Sequence, residues 1–214
     1  MTQTHDDALT DYEADFASPL ALDPQAQDLL FREARTANTF SDEPVSDEQV
    51  QAIYDLVKWA PTSMNNQPLR IVLVRSPQAR ARLVESMADG NKPKTEAAPL
   101  VAILAADIDF HDELPRQFPH FPGARDLFAG SEEARESAAK LNAALQIAYF
   151  TLGVRAAGLA AGPMTGLDTA SVDREFFPDG RHRTMVVMNI GKPGDDPWFD
   201  RLPRLDYDEV VTSV

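Results

Sequence analysis

The sequence predicts an α+β fold, a mixed central sheet flanked by helices, from three observations. Several segments carry helical periodicity with cap signals. Separate short apolar runs read as strands. The two kinds of element alternate irregularly along the chain, without the regular rhythm of repeated strand–helix units.

Residues 1–24, beginning "MTQTHDDALTDYEADF", are polar and acidic and read as an N-terminal arm, with a single domain over 25–214. "PQAQDLLFREAR" carries Leu29, Leu30 and Phe31 and suits a short helix. "PVSDEQVQAIYDLVKWA" is the clearest helix, with Val50, Ile53, Tyr54 and Val57 at i, i+3, i+4 and i+7. Ser46 and Gln49 have capping-box spacing, and Val45 and Val50 suit the flanking staple. "RIVLV" reads as a strand. "SPQARARLVESMADG" reads as a helix capped by Ser76, with Pro77 at its first position. "PLVAILAAD" reads as a buried strand. The stretch 107–130 holds prolines and aromatics without a period and reads as a long excursion. "SEEARESAAKLNAALQIAYFTLGVRAAGLA" is a long Ala-rich helix stopping near Gly158. It is apolar on more than one face, so burial on several sides is expected. "DTASVDREFFP" gives a short helix capped by Asp168, and "TMVVMNIG" a strand.

Composition narrows the function. The chain has 34 Asp+Glu against 20 Lys+Arg, a formal charge of −14, which disfavours nucleic acid and anionic membrane as partners. It has no cysteine, so disulfides, thiolate nucleophiles and thiolate metal sites are excluded. The N-terminus lacks the pattern of a signal peptide, and a cytoplasmic location is expected. His5, His111, His120 and His182 form no close ligand pair, so no metal is expected. There is no GxSxG elbow and no P-loop, and "GLAAGPMTG" is not GxGxxG.

"WAPTSMNNQPLRIVLV" is the informative stretch. Thr62, Ser63, Asn65, Asn66 and Gln67 crowd neutral polar groups between a helix and a strand. Asn and Ser close helix ends routinely, but Gln is not a typical turn former. Basic residues fall into separated clusters outside these neutral groups: Arg35 beside Thr36 and Asn38, then Arg70, then Arg201 and Arg204. Neutral amides suit a flat heterocycle that both donates and accepts, and arginines suit a phosphate. Together they would suit a phosphorylated flavin.

"ARTANTF", "APTSMNNQPLRIVLV", "GLAAGPMTG" and "RLPRLDYDEVV" occur in an order that resembles the FMN-dependent nitroreductase family. The resemblance covers nearly all of the chain after the arm. "ARTxN", "KWxPTSxN", "GPMxG" and "RLPRL" look closest to its malonic semialdehyde reductase (3-hydroxypropionate dehydrogenase) subgroup, linked to pyrimidine breakdown. The resemblance implies a nitroreductase-like fold with a long buried central helix. It also implies an intertwined homodimer with FMN at the interface. Arg35 and Thr36 would lie at the phosphate and ribityl end, and Asn38 stands where many relatives carry a second Arg. Arg204 would bind the phosphate, with Arg201 as a helper. Thr62, Ser63 and Asn65 would reach the flavin from the partner chain, with Gln67 close by. Gly162, Pro163, Met164, Thr165 and Gly166 match the strip beside its redox edge.

The resemblance further implies ping-pong hydride transfer from NADPH or NADH to an acceptor, with no catalytic side chain because FMN carries the chemistry. The acceptor for the subgroup would be malonic semialdehyde. Lys94, Arg116 and Arg125 are candidates for meeting its carboxylate, with solvated surface charge as the alternative. Surface ion pairing is likewise the alternative for Arg35 and Arg204. A broad nitroaromatic or quinone reductase, a flavin-dependent dehalogenase, and a non-catalytic flavin-binding protein remain open.

Overall fold

The structure, a computed structural model, describes residues 20–214. Most of the proposed N-terminal arm, residues 1–19, lies outside the described residues.

Helix α1, Pro24–Gln27, is capped by Asp23, whose Oδ1 accepts from the Ala26 N–H, and it runs into a wider turn over Asp28–Arg32. Helix α2, Asp47–Val57, has the expected capping box. The Gln49 N–H donates to Ser46 Oγ at 3.2 Å, and the Ser46 N–H donates to Gln49 Oε1 at 3.0 Å. Strand β1, Leu69–Val74, follows the polar turn. Helix α3, Pro77–Glu85, starts at Ser76 and Pro77 as the sequence predicts. Helix α4, Lys92–Ala97, leads to strand β2, Leu100–Asp107. The excursion coils through short turns and two single-turn helices, α5 (Leu114–Gln117) and α6 (Asp126–Ala129). The long helix α7 spans Glu132–Ala156, capped by Ser131. Strand β3, Ala160–Met164, helix α8, Thr169–Phe176, strand β4, His182–Gly191, and the terminal helix α9, Tyr207–Val210, complete the described chain.

The four strands form one sheet in the order β1-β2-β4-β3. Each pairing is antiparallel, which corrects the expectation of a mixed sheet. Helices intervene between strands, but each crossover returns the chain in the reverse sense, and irregular alternation in sequence does not encode that sense. A bulge between Leu104 and Ala105 shifts the β2–β4 register.

Strand β2 explains the packing. Leu100, Ala102 and Leu104 point to one face, where Ile53 of α2 and Ile147, Phe150 and Val154 of α7 meet them. Val101, Ile103 and Ala105 point to the other, against Leu83 of α3 and Val172 of α8. The sheet is therefore sandwiched between two helical layers, and all of β2 is buried, which is why it reads as a continuous apolar run. A third cluster lies under the excursion, where Phe110, Leu114 and Ala124 pack on Ala139 and Ala143 of α7.

Helix α7 is only half covered. Ala139, Ala143, Ile147, Phe150 and Val154 are buried, whereas Leu141, Leu145 and Tyr149 form an exposed row on another face. Tyr54, Leu56 and Trp59 of the α2 region are also exposed, Trp59 at 78%. The expected burial on several sides is thus not met within one chain.

Strand β3 was not expected. "AAGPM" contains Gly and Pro, which lower strand propensity, so the segment reads as a loop. It is stable as an edge strand, where the missing N–H of Pro163 costs little.

Candidate functional site

The polar turn has a distinctive backbone. Met64, Asn65 and Gln67 have φ of 51°, 52° and 40°, the left-handed region that non-glycine residues rarely occupy. Several contacts hold it. The Ser63 N–H donates to Asn142 Oδ1 of α7 at 2.7 Å, and the Gln67 N–H to Thr62 Oγ1 at 3.3 Å. Gln67 Nε2 donates to Asn65 Oδ1 at 2.8 Å, and Asn65 Nδ2 donates to the Gln117 carbonyl at 2.9 Å. Below the turn, Met64 packs on the cluster under the excursion. Ser63 and Asn65 remain exposed, while Thr62 and Gln67 are half-buried. Asn66 is 1% exposed, and neither its Nδ2 nor its Oδ1 has a hydrogen-bond partner among the described residues.

A cleft of about 620 Å³ opens beside the turn, lined by Gln67, Arg70, Arg116, Gln117, Tyr54 and Phe150 among others. Arg116 donates to Glu113 at 2.7 and 2.9 Å, and Arg125 donates to Asp112 at 3.0 and 3.2 Å. Both of these sequence-selected cations are therefore already neutralised by carboxylates. The hydrogen bond from Arg125 is the main reason that the Asp112 carboxyl lies below its ordinary range. Phe118 and Phe128 pack locally on the cluster under the excursion, and Phe121 is exposed.

The second group of sequence-selected residues lies at the other edge of the sheet. Gly162 and Met164 are buried in β3, whereas Pro163, Thr165 and Gly166 are exposed. The segment 35–40 runs alongside. A Cβ on Gly162 would lie 3.7 Å from the Ala37 carbonyl oxygen, an ordinary contact, and Phe40 bridges to Pro193. Arg35, half-buried, donates to the Phe199 carbonyl at 3.3 Å, and the Asn38 N–H donates to the Pro197 carbonyl at 3.0 Å. Arg201 donates to the Arg32 carbonyl, which brings the tail back to this edge. Thr36 is exposed in the same segment. Arg204, further along the exposed tail, donates among the described residues only to the nearby Leu202 and Pro203 carbonyls, at 2.9 and 3.1 Å.

Charge separates these arginines from most of the others. Arg32, Arg70, Arg75, Arg82, Arg116, Arg125, Arg135, Arg181 and Arg183 each meet a carboxylate. Among the described residues, none of the carboxylate pairings involves Arg35, Arg201 or Arg204. Arg80, Arg155 and Arg174 likewise lack a carboxylate, but Arg80 and Arg155 are half-buried donors to main-chain carbonyls and Arg174 donates to Ser171 Oγ. In a chain of charge −14, Arg35 and the tail's Arg201 and Arg204 are left able to receive an external anion.

Sequence reasoning missed Asn91. Its Nδ2 donates to the Gly166 carbonyl at 3.0 Å, so it stands beside the strip. A Cβ on Gly166 would come within 2.8 Å of that nitrogen, so the glycine permits the approach. Lys94 sits one turn further along α4, half-buried, and the neighbouring Thr95 touches Met164. No motif in the sequence links 91–95 to 162–166; contacts at long separation do so, among them the Ala88 N–H donating to the Gly166 carbonyl at 2.9 Å.

Strands β2 and β4 separate the turn from the strip. At ordinary strand spacing the two edges are ~14 Å apart. Within one chain the structure thus gathers Arg35, Thr36, Asn38, Arg201 and 162–166 at one edge, and Thr62, Ser63, Asn65 and Gln67 at the other. Among the described residues no group of three His, Asp or Glu side chains could hold a metal ion, and no helix is long and apolar enough to cross a membrane.

Comparison with known proteins places this geometry. The model of the nitroreductase family matches residues 31–192. A provisionally named NADH dehydrogenase/NAD(P)H nitroreductase of Streptomyces griseus is 69% identical over 91% of this chain and 99% of its own. A relative of the same provisional name from Leptothrix cholodnii is 47% identical over 91% of this chain and 98% of its own. Among solved structures, a provisionally named nitroreductase of Bacillus subtilis superposes with a TM-score of 0.79 at 23% identity, covering 86% of this chain and 97% of that one. One from Exiguobacterium sibiricum, solved in complex with FMN, has a TM-score of 0.78 at 19% identity, covering 92% of this chain and all of its own. At such identities the structures speak to the fold alone. The family model and the closely similar sequences go further: this chain belongs to the nitroreductase family.

Proposed function

We propose that the protein is an FMN-dependent NAD(P)H oxidoreductase, working as a homodimer, whose acceptor is malonic semialdehyde, reduced to 3-hydroxypropionate. The observation that carries the reading is the division of the ligand-receiving groups between opposite edges of the sheet. One edge offers guanidiniums without carboxylates; the other offers a turn of neutral amides. A second copy, seated on the exposed Leu141, Leu145 and Tyr149 row, would bring one chain's turn to the other's strip. The exposed tail, with Leu202, Leu205 and Tyr207 uncovered, would gain burial in the same assembly.

The residues present fit FMN. Arg35 and Arg204, with Arg201 as helper, suit its phosphate, and Thr36 and Asn38 suit the ribityl chain. Thr62, Ser63, Asn65 and Gln67 suit the donors and acceptors of its ring. Gly162, Pro163, Met164, Thr165 and Gly166 suit its redox edge. FMN when bound supplies two-electron transfer between NAD(P)H and an acceptor. The names of the similar sequences support the nicotinamide donor, and the FMN in the Exiguobacterium structure supports the cofactor. Of the three cations proposed for the acceptor carboxylate, Lys94 has no carboxylate partner among the described residues. It is therefore the best placed to meet an anionic group beside the strip.

A second reading, a broad nitroaromatic or quinone reductase, draws on the pairing of Arg116 and Arg125. A cover whose cations are already neutralised suits an uncharged aromatic acceptor better than a carboxylate. The test is the visible spectrum of the purified protein with FMN, before and after anaerobic NADPH. A flavin band that bleaches supports the reductase; a band that persists leaves a flavin-binding protein without turnover. The ratio of kcat/KM for malonic semialdehyde to that for a nitroaromatic then separates the two acceptor classes.

A further inference from the structure

At the end of β2 a buried carboxylate ties the polar turn to the sheet. Asp107 is 1% exposed. Its Oδ2 accepts from Arg70 Nη2 at 2.8 Å and from Arg181 Nη2 at 3.0 Å. Its Oδ1 accepts from Arg181 Nε at 2.7 Å and from the Asp109 N–H at 3.0 Å. Four donors satisfy the carboxylate, as a buried charge requires. The bridge continues through Arg70. Its Nη1 donates to the carbonyl of Gln67 at 2.9 Å and to that of Leu69 at 3.0 Å.

Gln67 is the last of the left-handed residues in the turn. Such a backbone persists only where its surroundings over-determine it. Several contacts act on the turn from the excursion and α7, but the Arg70 guanidinium is the group that holds the Gln67 carbonyl, and Asp107 fixes that guanidinium. Stability alone is a poor account of the cluster, because buried ion pairs often contribute no more than apolar residues of the same volume. Its geometry is directional, running from the end of β2 to one carbonyl of the turn.

We infer that Arg70 and Asp107 are positioning residues that hold the Thr62–Gln67 turn in its ligand-receiving conformation. The inference rests on the flavin reading only for the identity of the ligand. Neither residue needs to touch that ligand, since both act through Gln67.

Two measurements on the full chain test it, one without ligand and one with FMN itself. The variants are Arg70→Met, whose side chain is partly exposed, and Asp107→Asn, which keeps the shape; Arg70→Lys serves if the Asp107 variant does not fold. In FMN-free protein, amide hydrogen exchange over 62–67 should rise about tenfold in the variants, with 100–106 of β2 exchanging as in the wild type. FMN affinity, from quenching of flavin fluorescence, should fall by about the same factor. Unchanged exchange over 62–67 overturns the inference, as does a rise spread equally through β2, which marks a purely structural role. Unchanged FMN affinity in variants whose turn exchanges faster also overturns it. If the wild type takes up no FMN, the flavin reading fails, while a localised rise in exchange still supports the positioning role.

Discussion

The Ser63 N–H donates to Asn142 Oδ1 at 2.7 Å, a bond that joins the polar turn to the middle of the long helix α7. Asn142 is buried and also donates through Nδ2 to the Ala138 carbonyl at 2.8 Å, so its amide is fixed in orientation. Asn142→Leu removes the acceptor and strands the Ser63 N–H. Urea unfolding should show a loss of about 1–3 kcal/mol. FMN should also bind more weakly, because Ser63 loses its anchor.

Arg204 gives a contrasting outcome. It is exposed and, among the described residues, donates only to carbonyls one and two residues away, so Arg204→Ala should leave the melting temperature unchanged. If it meets the phosphate, the charge-assisted bond is worth about 1.5–3 kcal/mol, roughly a 10- to 100-fold loss of FMN affinity. Fluorescence titration reads this directly, and undiminished affinity would remove Arg204 from the phosphate site.

Gly153 tests the packing of α2 on α7. A Cβ there would come within 2.4 Å of Val57 Cγ1 and 3.1 Å of Ile53 Cγ2. Val57 is β-branched and has little freedom to turn away. Gly153→Ala should therefore lower stability by about 1–3 kcal/mol, although alanine is the better helix former. Thermal unfolding checks the sign.

Acid should act on the excursion and on the start of α7. The Asp112 carboxyl is depressed chiefly by the hydrogen bond from Arg125, and that of Glu136 chiefly by the hydrogen bond from Lys140. For a depressed carboxylate the stabilisation is fully present above the unfolded pKa. It is lost as pH falls through the folded one. The contribution should be flat from pH 6 to 8 and decline only below about 4.5. It should be small and weaker in salt, because both pairs are solvent-screened. Melting temperatures at low and high salt across this range measure it.

The helices were legible because their signals are local. Ser46 with Gln49, and Ser76 with Pro77, lie within one turn of the helices they start, and β2 is recognisable from its composition alone. Strand β3 was hidden because Gly162 weakens a strand and Pro163 is tolerated only at an edge, and edge position is a tertiary fact. The sense of each strand was hidden for the same reason. At the site, the amide-rich turn was visible as composition, but its three left-handed residues were not, since Met64 and Gln67 carry no signal for positive φ. Asn91, Asp107 and Arg181 join the turn and the strip only through contacts at long separation.

Completion of each site between two copies, as proposed above, is tested by pairing two differently tagged chains, one carrying Arg35→Glu at the strip edge and one carrying Asn65→Ala in the turn. Purified mixed dimers are then titrated with FMN. If the two edges belong to different chains in each site, one site of the mixed dimer carries both substitutions and the other neither. Half of the sites should then bind FMN with wild-type affinity, although neither parent homodimer does. Uniformly weakened binding across all sites of the mixed dimer would contradict the account and place both groups within one chain's own site.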